Sequence, residues 1–178
     1  SKFNVNFASN NINQSGRFYA WEALVHCEHG CYEGGNEIGV GVEHVYRNMR
    51  RVCKRIAPNL NLPKKDPIGE DTIVMHLRSG DNYHRVFTPP TNYIPNPLIF
   101  YLNLIESFDK CIIITEPDRE NPIVHELMKI DKVKIQSSTV ADDFATLMSA
   151  KNVALSGVGT FAMAAALCST QIKNLYTT

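Results

Sequence analysis

The sequence predicts an α/β fold: a parallel sheet wound with helices over residues 66–178, behind a short irregular N-terminal part over residues 1–65. Three observations point that way. From residue 72 onward, short runs rich in β-branched residues alternate with segments of helical period. Residues 58–70 hold three Pro and a Gly and read as a linker between an irregular part and a regular one. The stretch Asp71-Thr-Ile-Val-Met-His-Leu-Arg-Ser-Gly-Asp81 begins as a buried strand and turns abruptly polar. In open α/β sheets the carboxyl ends of strands are where ligands bind.

Residues 1–16 are polar and Asn-rich, with an alternating Phe3-Asn-Val-Asn-Phe7 that suits a short half-buried strand. Asn13-Gln-Ser15 fits the glycosylation sequon, a pattern that also arises by chance. Residues 17–25 hold the only Trp and suit either a strand or a short helix. Residues 30–41 carry five Gly and read as a loop. The spacing of Val42, Val45, Tyr46, Met49, Val52, Cys53 and Ile56 predicts a helix over 42–57 with one apolar face, stopped by Pro58. Arg47, Arg50, Arg51, Lys54 and Arg55 fill the rest of that helix. They form either a solvated face or one that turns a cation or two toward an anionic ligand.

Strand one is expected at 72–77. A proline-bearing loop, His84 to Pro97, leads to a helix at 98–107. Cys111-Ile-Ile-Ile-Thr115 is strand two. Pro122 opens a helix to Lys129, at a position where a missing N–H costs nothing. Val133–Ser137 is strand three. Thr139-Val-Ala-Asp142 resembles a capping box, with Asp in place of the preferred Glu. The helix it opens runs to about Ala150 on Phe144, Leu147 and Met148. Asn152–Ser156 is strand four, Phe161–Cys168 an Ala-rich helix, and Ile172–Tyr176 strand five. Strands and helices alternating at these lengths imply parallel strands with right-handed crossovers, a Rossmann-like domain.

Composition is that of an ordinary folded domain: 178 residues, 44% hydrophobic and 20% charged, with a formal net charge of zero. Bulk charge therefore gives no argument for nucleic acid, and no apolar run reaches the length of a membrane span. The chain opens on Ser1 without a Met, so localisation is left open. Five Cys make no disulfide framework in a chain this long; Cys53, Cys111 and Cys168 fall in apolar patterns. Cys27 and Cys31 sit with His26 and His29 in one tight loop. No second ligand pair follows, so no metal is expected there.

Three strand ends carry polar groups suited to a nucleotide. His76, Arg78 and Asp81 follow strand one. Ser137, Ser138, Thr139, Asp142 and Asp143 follow strand three. Ser156, Gly157, Gly159 and Thr160 follow strand four and lead into a helix, where backbone N–H groups and the dipole favour an anion. An Arg holds a diphosphate by paired hydrogen bonds, and a carboxylate accepts them from guanine. The plain alternatives are an Arg78–Asp81 loop salt bridge, a packed His76, a tight turn at Gly157–Thr160 without dinucleotide spacing, and an Asp142 that only caps its helix.

Met75-His-Leu-Arg-Ser-Gly-Asp81 resembles the His-x-Arg-x-Gly-Asp motif of the α1,2-, α1,6- and protein O-fucosyltransferases. The run from Asp143 to Phe161 is similar to the second block of that group, and Pro89-Pro-Thr-Asn-Tyr93 to the segment between the blocks. The likeness covers about residues 72–178. It implies a GT-B glycosyltransferase, of which this would be the nucleotide-sugar-binding domain. It implies inverting transfer of fucose or a related sugar from a GDP-sugar to a glycan or glycoprotein acceptor, without a metal or other cofactor. Arg78 would contact the β-phosphate and act as the catalytic residue; His76 and Asp81 would shape the donor pocket. Asp143 would read guanine, and Ser156, Gly159, Thr160 and Phe161 would form the phosphate-contacting turn.

The chain departs from that pattern in three places. Ser79 stands where many members have a second Arg, and Ala162-Met-Ala-Ala-Ala-Leu167 replaces an aromatic-rich tail. Residues 1–57 are short for an acceptor domain, and no residue stands out as the general base. The competing class is a non-catalytic nucleotide-sugar- or glycan-binding domain, or one domain of a larger enzyme. A phosphotransfer or signalling domain is disfavoured, because the chain lacks a Walker Gly-Lys-Ser/Thr and an acidic cluster at the strand ends.

Overall fold

The computed structural model describes residues 42–83 and 95–177, with side chains at 47–80, 83 and 95–177. The strand at 3–7, the segment 17–25, the glycine loop 30–41, the Cys27–Cys31 loop and most of the proline loop lie outside the described residues, as does the side chain of Asp81. The chain divides into two compact units, Ser1–Gly39 and Val40–Thr178; every described residue belongs to the second.

In chain order the elements are α1 (Val42–Ile56), β1 (Thr72–His76), α2 (Leu98–Glu106), β2 (Lys110–Ile114), α3 (Pro122–Leu127), β3 (Val133–Gln136), α4 (Val140–Ser149), β4 (Asn152–Ala154), α5 (Phe161–Cys168) and β5 (Asn174–Tyr176). The five strands form one sheet in the order β3-β2-β1-β4-β5, and every pairing is parallel. The expected α/β architecture is therefore present.

β1 lies at the centre, and Ile73, Val74 and Met75 are fully buried. Alternate residues of a strand face opposite sides. Ile73 and Met75 join Ile113, Tyr101, Ile105, Val124 and Leu127 in a core under α2 and α3. Val74 joins Val153, Leu147, Ala162 and Ala165 in a second core under α4 and α5. Each such side chain contributes roughly 1.5–3 kcal/mol of burial free energy, opposed by the entropy of ordering it. The two edge strands are flanked by exposed lysines, Lys132 and Lys134 at β3 and Lys173 at β5, which discourage further strand addition.

Two strands are shorter than their sequence patterns by two residues. β4 ends at Ala154 because the next carbonyls go to a side chain and backbone outside the sheet: Asn96 Nδ2 donates to Leu155 O at 2.8 Å and Asn96 N to Ser156 O at 3.4 Å. β5 starts at Asn174 because Ile172 N donates to Ser169 Oγ at 3.2 Å instead.

The helix at 42–56 also differs from expectation. Met49 and Cys53 are half-buried, but Val52 and Ile56, expected on the same apolar face, are 53% and 39% exposed. The expected division between residues 65 and 66 sets α1 with the N-terminal part. In the structure α1 packs on α5, with the Cys53 thiol against that of Cys168. Burial and that neighbour push the Cys168 thiol up to about 11.

Candidate functional site

From β1 the chain winds outward through β2 to β3, then returns to the other side of β1 as β4. The carboxyl ends of β1 and β4 thus flank the point where the winding reverses, the place where open α/β sheets form a ligand crevice. His76, Arg78 and Ser79 leave β1 at this edge. Ser156 to Thr160 leave β4 beside them.

The β1 loop is clasped by the loop after β2. Arg78 Nη1 donates to Glu116 Oε1, in a pair whose side chains are 32% and 25% exposed. The other oxygen, Glu116 Oε2, accepts from Ser79 N at 2.6 Å. Asp118 Oδ1 accepts from Ser79 Oγ at 2.7 Å, Gly80 N at 3.1 Å and Glu120 N at 3.0 Å. Asn121 donates from its N to Ser79 Oγ at 2.9 Å and from Nδ2 to Arg78 O at 2.8 Å, while its Oδ1 caps α3 through Ile123 N. The clasp explains Ser79. It is fully buried and its hydroxyl ties both loops together, so the long charged side chain of a second Arg has no room there. Arg78 pairs with Glu116, and the backbone of Asp81 lies in a short 3-10 turn, Gly80–Tyr83.

The turn after β4 is built of small residues for steric reasons. Gly157 has φ +76°, and a Cβ there would stand 2.3 Å from Asn96 Oδ1. Gly159 has φ +83°, and its Cβ position lies 3.9 Å from Arg78 Cδ. The Arg of the first sequence block thus stands directly against the glycine turn of the second. The hydroxyl of Ser156 is buried and donates to Val158 O, so it shapes this turn. Thr160 is the residue before α5 and makes no side-chain cap, leaving the first N–H groups of that helix without a side-chain acceptor.

His76 is 4% exposed, and its ring lies 5.4 Å from that of Phe161, which in turn meets Phe144 at 5.5 Å. Burial, followed by the nearby Arg78 charge, lowers its pKa to about 4, so the imidazole is neutral at pH 7. His76 Nδ1, Thr115 Oγ1 and Ser137 Oγ are buried without a hydrogen-bond partner. These three atoms lie at the carboxyl ends of β1, β2 and β3.

Asp143 sits in the first turn of α4 beyond β3 and is 7% exposed. Its Oδ1 accepts from Gln136 Nε2 at 2.7 Å and from Ser138 N at 3.3 Å, while Oδ2 lies 3.2 Å from the same N–H. Thr139, not Asp142, caps the helix: its Oγ1 accepts from Asp142 N at 3.1 Å and donates to Asp142 Oδ2 at 2.8 Å. With Lys65 nearby, the Thr139 and Lys65 hydrogen bonds hold the Asp142 carboxyl below its ordinary range.

The structure therefore gathers His76, Arg78, Ser156, Gly159, Thr160 and Phe161 at one edge. It keeps Asp143 at the β3 side, joined to Phe161 through Phe144. Glu116, Asp118, Asn121 and Asn96 were missed in the sequence. The only sequence signal was an acidic, Pro-bearing stretch after strand two, Glu116-Pro-Asp118, which corrects the expectation that no acidic cluster stands at a strand end. Among the described residues, no group of His, Cys, Asp and Glu is arranged to hold a metal ion.

No family model matches the chain, and no curated protein does. Solved structures of POFUT1 are similar to it. One, in complex with GDP-fucose, has a TM-score of 0.41 at 10% identity and covers 72% of this chain and 45% of that one. Another, in complex with GDP, has a TM-score of 0.40 at 12% identity and covers 72% and 46%. The chain thus spans less than half the length of these neighbours. At such scores the likeness carries no argument, and the site stands on its own geometry.

Proposed function

We propose that this chain binds a GDP-sugar as the donor domain of an inverting, metal-independent glycosyltransferase that moves fucose or a related sugar to a glycan or protein acceptor. The observation that carries the reading is the meeting of Arg78 with the Gly159 turn at the reversal point of the sheet. There the side chain of Arg78 runs beside the turn that leads into α5, and a guanidinium together with a helix amino end is a combination that stabilises a diphosphate. Arg78 grips the β-phosphate. As the acceptor attacks the anomeric carbon from the far side, negative charge grows on the departing diphosphate, and Arg78 stabilises it. Gly159, Thr160 and the backbone around Ser156 line the phosphates. Neutral His76, against Phe161, offers a hydrogen bond to the sugar without adding charge.

Asp143, beside β3, reads guanine. β1 and β3 are two strands apart, about 10 Å, a span that an extended nucleoside diphosphate bridges. Asp81 serves the same pocket from the loop after β1.

A thermal-shift panel tests this. GDP should raise the melting temperature more than ADP, UDP or NAD does, because only the folded state binds it. An equal response to all four, or to none, would sink the donor assignment. Asp143→Asn, which keeps a carbonyl for Gln136 and Ser138, should narrow the gap between GDP and ADP.

One observation favours a non-catalytic binding domain instead: Arg78 is already paired with Glu116. Slow release of free sugar from a GDP-sugar separates the two, since hydrolysis requires a working leaving-group site.

A further inference from the structure

Two thiols meet where α1 rests on α5. Cys53 is half-buried and Cys168 is 6% exposed, and the two side chains face one another closely enough to interact. The third described cysteine, Cys111, lies in β2 and belongs to the core on the other face of the sheet. A buried cysteine is most often a small hydrophobe. That account suits Cys111. It leaves unexplained why a partly solvent-open thiol on one helix is set against a buried thiol on another.

α1 is thinly held. Its main neighbour among the described elements is α5. Val52 and Ile56 remain exposed, so part of its apolar surface is uncovered. Arg50–Lys54 and Arg51–Arg55 set like charges four residues apart, which works against the helix. A helix of 15 residues is marginal in water by itself. A covalent tie to α5 therefore matters more for α1 than it would for a helix sunk in the core. On the α5 side, Ala164 stands one turn before Cys168 on the same face. A side chain that small lets a neighbouring backbone come close, as a disulfide requires.

We infer that Cys53 and Cys168 form a redox-active pair, closing to a disulfide that staples α1 to α5 and opening again to two thiols. The oxidant is a small-molecule disulfide of the glutathione type. Cys53, the thiol open to solvent, attacks one of its sulfurs as the thiolate. The external S–S bond breaks, a mixed disulfide forms, and one thiolate leaves. Cys168 then gives up its proton and attacks the Cys53 sulfur, forming the protein disulfide and expelling the second thiolate. Two protein thiols are oxidised, one external disulfide is reduced to two thiols, and the two protons pass to the thiolates released. Burial, and then the neighbouring thiol, push Cys168 up to about 11, so closure is slow at neutral pH and quickens as the pH rises.

The test uses the folded full chain and excess oxidised glutathione at about pH 8, where thiolate is more plentiful. Remaining thiols are then blocked and the protein is digested without reductant. Mass spectrometry should recover the Cys53 and Cys168 peptides linked to each other, dithiothreitol should release them, and Cys111 should stay reduced. This readout needs no variant and no enzymatic activity, so it stands apart from the donor reading. In a Cys27→Ser/Cys31→Ser background, oxidation should raise the melting temperature by roughly 10 °C, because the bridge closes a loop of about a hundred residues. Cys53→Ser should remove that rise. Amide exchange in α1 should slow on oxidation. Cys53 and Cys168 recovered unlinked, as free thiols or as separate glutathione adducts, would overturn the inference. So would a bridge that lowers the melting temperature or leaves exchange in α1 unchanged.

Discussion

Arg78→Lys separates the two roles open to this side chain, because they predict losses of different size in different measurements. Lysine keeps the charge but loses the planar fork. The Arg78–Glu116 pair has a third of the arginine side chain and a quarter of the glutamate side chain exposed to solvent. A pair so placed contributes about 1 kcal/mol or less to stability, and the lysine retains part of that. The shared loop clasp also keeps its other bonds, from Ser79 and Gly80 to Glu116 and Asp118. The melting temperature should therefore fall by only about 1–3 °C. Ligand binding should suffer more. A hydrogen bond to a charged partner is worth roughly 1.5–3 kcal/mol, so losing one arm of the fork should weaken GDP binding by about 10- to 100-fold. Turnover should fall further, by roughly a hundred- to a thousandfold, because charge on the diphosphate peaks as the sugar–phosphate bond breaks. The assays are calorimetric GDP titration, sugar release or transfer from a GDP-sugar, and a melting curve on the same preparations. A drop of ten degrees or more with GDP affinity unchanged would refute the reasoning and make Arg78 a structural partner of Glu116.

Gly157→Ala should cost about 2–4 kcal/mol: the left-handed backbone disfavours a Cβ by roughly 1–2 kcal/mol, and displacing Asn96 breaks its buried bond to Leu155 O. Urea unfolding with an unchanged slope checks it. His76 is depressed to about 4 from 6.5, so between these values the unfolded chain binds the extra proton. Stability should thus be complete above pH 6.5 and fall toward pH 4 by up to about 3 kcal/mol. His76→Leu should flatten that slope between pH 4.5 and 7, and an unchanged slope would show the group to be more accessible than its burial implies. The Cys27–Cys31 loop should carry no zinc; stoichiometric metal by elemental analysis, released on mutating Cys27, would contradict this.

The sequence by itself determined the elements. A strand or helix is encoded within about ten residues by periodicity and punctuation, so Ile73–Met75 as a buried strand, Pro122 as a helix start and Thr139 as a cap were legible. The motif residues were legible too, because His76, Arg78 and the Gly157–Phe161 turn follow strand ends. Only the tertiary structure decided which strand ends are neighbours, since strand order depends on how helices cover both faces of the sheet. That order sets Gly159 against Arg78, although they are far apart in the chain. The clasp was equally hidden. Glu116 and Asp118 reach Arg78, Ser79 and Gly80 across 37 to 39 residues, and Asn96 reaches Leu155 across 59. No local pattern marks a carboxylate as the future partner of a distant backbone N–H. Ser79 shows the limit: in sequence it is a polar loop residue, and only the packing of two loops makes it fully buried. The exposed border of α1 shows the reverse. Its period marked Val52 and Ile56 as core, but a helix covers only the side that meets a neighbour, and α5 meets the side of Met49 and Cys53.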